Sequence, residues 1–196
     1  YQADAGEILF NGRETKITSV LDARALGITM IHQELNLLSN LTIAQNIFIG
    51  KEIKHHGVFL DERATSAKAA ELLERVNLHV GPNTMVSELT VAQQQMVEIA
   101  KAISYNSRVI IMDEPTAPLS NSEIESLFAI IGEMKKSGIS IIYISHRMDE
   151  IKRICDRATI LRDGQYISTV DVASTSLDDI IAAMVGRKIA YVRKGR

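Results

Sequence analysis

The spacing of apolar residues divides the chain near residue 106 into two parts with different predicted structure. Over residues 41–106 the spacing is helical. A capping box at Thr42–Gln45 opens a short predicted helix, and Asp61 caps a longer second one. A third helix follows Thr90, because its apolar residues recur at i, i+3, i+4 and i+7: Met96, Ile99, Ala100 and Ile103. This part of the chain is predicted to be a small helical region.

Apolar runs on either side of the helical region predict strands. Gly27–Ile31 precedes it and Val109–Met112 follows it, and the second run is apolar without alternation, as in a strand buried on both faces. A helix capped by Ser120 then leads through an expected stop at Gly138 to another apolar run, Ile139–Ile144. Strand, helix and strand in this order predict two parallel strands joined by a right-handed crossover.

The remainder of the chain predicts an antiparallel strand pair and a closing helix. The strands are Ala158–Leu161 and Tyr166–Val170, and Asp163–Gly164 supplies the turn between them. The helix carries its apolar residues on one face: Leu177, Ile180, Ile181 and Met184. The predicted fold class is therefore α/β, with a mainly parallel core sheet and a helical subdomain.

Polar residues suited to catalysis stand where the predicted parallel strands end. Asp113 and Glu114 follow the run that begins at Val109, and His146 follows the next strand. Because the carboxyl ends of parallel strands share one edge of a sheet, these three polar side chains are expected at one site. One carboxylate can hold Mg²⁺ and the other can deprotonate water, and the amide of Gln33, after a third strand, can bridge metal and water.

Each of these residues also has an ordinary structural interpretation. Adjacent carboxylates such as Asp113 and Glu114 commonly begin a polar turn after a strand. A lone glutamine such as Gln33 is usually a surface amide, and His146 can cap the helix that follows it. Taken one at a time, the residues leave both interpretations open.

Composition restricts the classes of partner. The 196 residues are 46% hydrophobic and 23% charged, as in a soluble globular protein, and the formal charge is -2. A chain of this charge has no basic field that would attract nucleic acid or anionic lipid. The single cysteine, Cys155, excludes an internal disulfide framework. No apolar run approaches the roughly 18 residues of a membrane span.

Four motifs taken together resemble those of ABC-type ATPase domains. In chain order they are HQEL with Gln33, LTVAQQQ at Leu89–Gln95, VIIMDEPT at residues 109–116, and ISH ending at His146. They resemble the Q-loop, signature motif, Walker B motif and switch histidine of that family. Longer stretches, among them IHQELNL, ISHRMDEI and MVGRK, resemble the first ATPase domain of the ATP-binding subunits of bacterial ribose, galactose and xylose importers. The resemblance implies a P-loop NTPase-like ABC ATPase fold.

The same resemblance implies roles for matching residues in ATP hydrolysis with Mg²⁺ as cofactor. Asp113 is implied as the metal ligand, Glu114 as the catalytic base and His146 as the stabiliser of the transition state. Gln33 is implied as a further catalytic and metal-site residue, which senses the γ-phosphate and faces the membrane subunits. Ala117–Ser120 is implied as the D-loop that couples two sites. The residues implied to contact nucleotide across a head-to-tail pair with a second ATPase domain are Leu89, Thr90, Val91, Ala92, Gln93 and Ser120.

The sequence departs from the family pattern at two places. It contains no G-x-x-x-x-G-K-[ST], the loop that holds the β- and γ-phosphates. The chain is therefore expected to be an N-terminally truncated fragment that binds MgATP very weakly alone and exposes apolar core surface. The usual Ser-Gly-Gly-Gln is replaced by Thr90–Gln93, in which Val91 and Ala92 stand where glycines are usual. We interpret this replacement as variation rather than loss of function.

The expected organisation and partners also follow from the resemblance. It implies a partial core with the Q-loop over residues 1–40, a helical subdomain over 41–106, the rest of the core over 107–189, and a linker beginning at 190–196. The implied partners are the membrane permease subunits and, indirectly, a sugar-binding protein, with no nucleic acid. The implied location is peripheral, on the cytoplasmic face of the inner membrane.

Three other functions remain open from the sequence. The chain could be a non-catalytic docking module for the membrane subunits, or a soluble ABC-type ATPase acting on nucleic acid or the ribosome. It could also be a small metal-dependent phosphohydrolase that uses Asp113, Glu114 and His146. The charge of -2 counts against the nucleic-acid partner. Two adjacent carboxylates supply few ligands for Mg²⁺ without substrate phosphates, which counts against the phosphohydrolase.

Overall fold

The computed structural model of the chain describes residues 3–55 and 59–186. These residues form two compact units that divide between Ile142 and Tyr143. The predicted linker at 190–196 lies outside the described residues. Within the part of the chain that the structure describes, no helix has the length and apolarity needed to cross a bilayer.

The first unit contains strands and helices in mixed order. In chain order they are β1 (Leu9–Phe10), β2 (Arg13–Glu14), α1 (Val20–Ala25), β3 (Ile28–Ile31), α2 (Ile43–Phe48), β4 (Lys54–His55), β5 (Phe59–Leu60), α3 (Glu62–Arg75), a 3-10 turn (Val86–Glu88), α4 (Val91–Ile103), β6 (Val109–Asp113), α5 (Asn121–Lys136) and β7 (Ser140–Ile144), which continues into the second unit. The predicted strands near Gly27, Val109 and Ile139 are confirmed as β3, β6 and β7.

A three-stranded sheet in the order β3, β6, β7 forms the centre of the first unit. β3 and β6 are parallel, with Ile28 opposite Val109 and Ile31 opposite Met112. Met112 is fully buried, as are the neighbouring apolar side chains of the sheet Ile31 and Ile110. In contrast, Met30 is 41% exposed and Ile142 is 51% exposed, so one part of the sheet surface is apolar and open to solvent.

Helices α2, α3 and α4 pack on one another, and the three helices predicted for this part of the chain are confirmed. Each begins at the predicted cap, because Thr42, Asp61 and Thr90 accept hydrogen bonds from the backbone N–H three residues later, at 3.2, 2.8 and 3.2 Å. Their shared core is aliphatic: Ile43, Ile47, Ala69, Leu73, Val97 and Ile99 are all buried. The helix at Thr90 buries the four apolar residues that predicted it.

Residues 41–106 are not helical throughout, and the prediction was wrong at one segment. Lys54–His55 and Phe59–Leu60 form a short antiparallel pair between α2 and α3. Two-residue strands are too short to produce an alternating pattern in the sequence, and the apolar residues on both sides of them have helical spacing, so the pattern does not predict these strands. The pattern also omits helix α1, whose capping box uses Ser19 and Asp22.

The second unit is a strand pair flanked by two helices. After β7 it contains α6 (Met148–Ile154), β8 (Arg157–Arg162), β9 (Gln165–Asp171) and α7 (Leu177–Val185). β8 and β9 are antiparallel, as predicted, and Asp163 and Gly164 turn between them with φ of 53° and 75°. Helix α7 packs on β8 and buries Ile180. Leu177, Ile181 and Met184, predicted to share that face, are half-buried.

Candidate functional site

One edge of the sheet in the first unit carries three of the predicted site residues. Because Ile31 lies opposite Met112 in parallel register, β3 and β6 end side by side. Asp113 is the last residue of β6, Glu114 follows it, and Gln33 lies two residues beyond the end of β3. Neighbouring strands are about 4.8 Å apart, so Asp113 and Glu114 follow one strand end and Gln33 follows the strand end next to it. Gln33 is exposed, while Asp113 and Glu114 are half-buried.

Glu114 has an unusual backbone conformation for its residue type. Its φ is +45°, in the left-handed region, which glutamate rarely adopts. The turn that follows is held by a hydrogen bond from the Ala117 N–H to the Glu114 carbonyl at 3.3 Å, and by one from the Leu119 N–H to the Thr116 carbonyl at 3.0 Å. Thr116 is buried. Strained conformations of this kind persist where the surrounding structure fixes them, often at functional sites.

Ser120 ends this turn and begins helix α5. Its backbone N–H and its hydroxyl both donate to Glu123 Oε2, at 2.7 and 2.6 Å. These hydrogen bonds lower the pKa of the Glu123 carboxyl below its usual value. The residue predicted to contact nucleotide is therefore the cap of a 16-residue helix.

The signature residues form the start of helix α4. The Thr90 N–H donates to Gln93 Oε1 at 2.9 Å, and Gln94 Nε2 donates to the Leu89 carbonyl at 3.1 Å. Leu89 is buried, whereas Thr90 and Val91 are exposed at the helix end and Ala92 is half-buried. The capping function that the sequence gives Thr90 and Gln93 is confirmed. Their predicted contact with nucleotide stays a prediction.

The segment after Gln33 is tied to the helices by polar side chains that the sequence analysis missed. The Asn36 N–H donates to Glu98 Oε1 of α4 at 3.1 Å. Asn46 of α2, which is 1% exposed, accepts from the Leu38 N–H at 2.7 Å and donates to the Leu38 carbonyl at 3.0 Å. A polar residue within the apolar run IAQNIF was the signal that could have identified Asn46.

The second unit fixes the segment that carries His146 through a buried carboxylate. Glu150 is 1% exposed, and its Oε2 accepts from the Tyr143 hydroxyl at 2.7 Å and from the Ser145 hydroxyl at 3.1 Å. Its Oε1 lies 3.0 Å from a guanidinium nitrogen of Arg147. The Arg147 N–H in turn donates to Ser145 Oγ at 3.0 Å. His146 therefore lies between two residues that Glu150 holds, a role that the sequence analysis did not assign.

The position of His146 relative to Asp113 and Glu114 stays a prediction, because they belong to different units. The donor chemistry at the sheet edge in the first unit fits Mg²⁺. The Asp113 carboxylate and the Gln33 amide offer the oxygen ligands that this ion prefers, and Mg²⁺ usually completes its shell with water and phosphate oxygens. Within residues 3–55 and 59–186, no three His, Cys, Asp or Glu side chains group as a metal site.

The sequence of the chain matches one family profile and is similar to several named proteins. The sequence profile described as ABC transporter matches residues 1–117. A Burkholderia lata protein named "Putative ribose/galactose/methyl galactoside import ATP-binding protein 1" is 56% identical over 191 residues, which are 97% of this chain and 37% of that protein. A similarly named Albidiferax ferrireducens protein is 52% identical over 99% of this chain and 38% of its own length. The chain thus spans under two-fifths of these relatives.

Solved structures match the fold. A dimeric post-hydrolysis state of an ATP-binding cassette bound to ADP and Pi has a TM-score of 0.74 at 21% identity, covering 88% of this chain and 75% of that one. A nucleotide-free ATP-binding cassette from an ABC transporter has a TM-score of 0.74 at 24% identity, covering 87% and 71%. At these identities the matches show the fold alone, and they confirm the predicted α/β class.

Proposed function

Because this chain belongs to the ABC transporter family, we propose that it supplies most of one ATP-hydrolysing domain of a transporter that imports a monosaccharide. The observation that carries the proposal is the end of β6, where Asp113 is followed by Glu114 in a left-handed conformation. The names of the relatives, which refer to import of ribose, galactose and methyl galactoside, support a monosaccharide as the cargo.

We assign the residues at the sheet edge two different roles, metal binding and proton acceptance. Asp113 and Gln33 would hold Mg²⁺, which when bound neutralises charge on the phosphate oxygens. Glu114 would orient water and accept its proton as it attacks the γ-phosphate. The fixed backbone at Glu114 supports this role, because a general base acts only from a defined position.

We assign His146 the stabilisation of negative charge on the γ-phosphate, by donation of a hydrogen bond. Glu150 would act as a positioning residue for it, through Ser145 and Arg147 on either side. The residues at the start of α4, Leu89–Gln93, would contact nucleotide held by a second ATPase domain in a head-to-tail pair. Thr90 and Val91 are exposed there, as such a contact requires.

The segment after Gln33 is proposed to contact the permease subunits on the cytoplasmic face of the inner membrane. Its hydrogen bonds to Glu98 and Asn46 connect it to α4 and α2, so that movement at Gln33 would pass to the helices. Contact with a sugar-binding protein would be indirect. We propose residues 41–106 as the helical subdomain, with residues 1–40 and 107–189 as parts of the core.

A nucleotide titration tests the proposal. The 196-residue chain contains no G-x-x-x-x-G-K-[ST], so we expect no saturable binding of a fluorescent MgATP analogue at millimolar concentration. Fusion of a strand, phosphate-binding loop and helix from an ABC ATPase domain to its amino end should produce micromolar binding. In the Asp113→Asn variant of the fusion, the affinity for the nucleotide analogue should depend less on Mg²⁺. The control Asp178→Asn, on α7, should leave the Mg²⁺ dependence of this affinity unchanged.

Two outcomes of the titration would contradict the proposal. Micromolar binding by the unfused chain would mean that other residues hold the phosphates. A correctly folded fusion, verified by circular dichroism, that binds no nucleotide but binds the permease would instead support the docking module.

A further inference from the structure

A cleft of about 570 Å³ opens in the first unit, at the end of the sheet opposite the candidate site. Its polar lining residues are Asn11, Arg13, Thr15, Arg24, Asn106 and Arg108. Gly27 and Arg108 stand immediately before β3 and β6, whereas Gln33 and Asp113 stand at the other ends of those strands. A four-residue strand rises about 3.3 Å per residue, so the cleft is roughly 13 Å from the candidate site.

We propose that this cleft, formed around Arg13, Arg24 and Arg108, binds a small phosphorylated molecule. Three guanidinium groups line it, and none of its lining residues is acidic. Within the described part of the chain, none of the three arginines forms an ion pair with a carboxylate. An anion in the cleft would therefore meet three positive charges that no acidic side chain neutralises.

Two of the three arginines are held in place before any ligand binds. The Arg24 guanidinium lies 5.3 Å from the centre of the Tyr105 ring, and that of Arg108 lies 5.6 Å from the Phe10 ring. These cation–π contacts restrict the side chains, so less conformational entropy is lost when a ligand is bound.

Gly27 explains how Arg108 reaches its position. Gly27 has φ of +79°, and a Cβ there would lie 3.0 Å from Arg108 Cγ. The Arg108 and Val109 N–H groups both donate to the Gly27 carbonyl, at 2.7 and 3.1 Å. The absence of a side chain at Gly27 thus lets the Arg108 stem lie across the backbone at the edge of the cleft.

The surroundings of Tyr105 add further positive charge. Lys51 Nζ lies 3.4 Å from the centre of the Tyr105 ring and donates to the Ser104 hydroxyl. Burial, and then the charges of Lys101 and Arg24, lower the pKa of Lys51 to about 8. Lys101 and Arg24 therefore act on Lys51 as nearby positive charges, in keeping with a positive surface around Tyr105.

Phosphate is the anion that this donor set fits. Arginine presents a planar fork that can bind two phosphate oxygens at once, and the side-chain amides of Asn106 and Asn11 add neutral donors. The volume lies within the range of about 300–1,000 Å³ that is usual for small-molecule sites. The cleft is open to solvent, but its three guanidinium groups are confined to about 570 Å³, which favours a small molecule over a membrane or a nucleic acid that would need a continuous basic surface.

Titration with inorganic pyrophosphate at low ionic strength tests the proposal on the 196-residue chain. We expect saturable binding by calorimetry in the micromolar to low millimolar range, with NMR amide shifts concentrated at Gly27 and Asn106. The double variant Arg24→Gln/Arg108→Gln should weaken binding at least tenfold. The matched control is Arg63→Gln, which removes an exposed arginine on α3 and should leave binding unchanged.

A second variant covers the possibility that loss of Arg108 disturbs folding. Arg13 is exposed on a two-residue strand, and Arg13→Gln should weaken binding about threefold or more while the circular dichroism spectrum is unchanged. The proposal is overturned by an absence of saturable binding, by equal affinity in the variants, or by shifts confined to the Gln33 and Asp113 edge. Binding to phosphatidylglycerol vesicles or to single-stranded DNA without binding of pyrophosphate would also overturn it.

Discussion

Replacement of Asn46 by leucine tests whether the segment after Gln33 depends on one buried amide. Asn46 Oδ1 is the acceptor for the Leu38 N–H, and Asn46 Nδ2 donates to the carbonyls of Leu38 and Thr42, each at 3.0 Å. Leucine fills a similar volume but can form none of these hydrogen bonds. The site is 1% exposed, so water cannot replace the amide without rearrangement.

The expected loss of stability in Asn46→Leu depends on which backbone groups keep another hydrogen-bond partner. The Leu38 carbonyl still accepts from the Leu41 N–H at 3.1 Å, and the Thr42 carbonyl still accepts from the backbone N–H of residue 46 at 3.0 Å. The Leu38 N–H alone loses its acceptor, at a cost of about 1–3 kcal/mol, and each weakened carbonyl adds about 0.5 kcal/mol. We expect Asn46→Leu to lower the free energy of unfolding by about 2–4 kcal/mol.

Urea denaturation followed by circular dichroism measures this change. The control is Asn40→Leu, because Asn40 is exposed and surface substitutions usually change stability by less than about 0.5 kcal/mol. Asn46→Asp should be more harmful at pH 7 than at pH 4, since a protonated acid can donate to the carbonyls whereas a carboxylate faces them with negative charge. A loss below about 0.5 kcal/mol for Asn46→Leu would refute the reasoning about the buried amide.

Three further predictions concern other parts of the chain. Glu150→Ala should cost about 2–4 kcal/mol in urea denaturation, because the Tyr143 and Ser145 hydroxyls and the Arg147 guanidinium lose the buried carboxylate that they share. Tyr143→Phe, which removes one of these hydrogen bonds, should cost about 1 kcal/mol, and equal losses would contradict this order. Gly27→Ala should cost about 1–2 kcal/mol through its positive φ and weaken pyrophosphate binding by displacing Arg108; unchanged binding would contradict the role of Gly27. Between pH 8 and 10.5 the unfolded chain binds more protons at Lys51 than the folded chain, whose pKa there is about 8, so the stability contributed by this group rises with pH. The rise in the free energy of unfolding that Lys51 contributes between pH 7.5 and 9.5 is at most about 1 kcal/mol, because the group is partly exposed. Lys51→Met should remove this rise, and a variant with the same dependence of stability on pH as the unmodified chain would contradict the prediction.

The sequence could predict those features that local chemistry determines. Thr42, Thr90 and Ser120 were identifiable as caps because a partner stands three residues later in each case, and the helices begin there. The turn at Asp163–Gly164 was identifiable because only a few residues tolerate positive φ at both positions. These signals lie within a few residues, so no knowledge of the tertiary structure is needed.

Features that depend on distant segments could not be predicted in this way. The conformation of Glu114 is left-handed although glutamate does not favour it, so it is imposed by the packing around it. The arginine cleft combines Arg13, Arg24 and Arg108, which belong to three separate segments. The importance of Asn46 depends on the path of the backbone at Leu38, eight residues earlier.

Single-turnover hydrolysis of ATP by the fusion that carries a phosphate-binding loop tests the central claim most directly, through Glu114. Glu114→Gln should lower the rate about 10²–10⁴-fold while the affinity for MgATP stays unchanged. The matched control Glu133→Gln changes an exposed carboxylate paired with Lys136 and should hydrolyse at the unmodified rate. Unimpaired hydrolysis by Glu114→Gln, with nucleotide bound equally well, would contradict the assignment of Glu114 as the base.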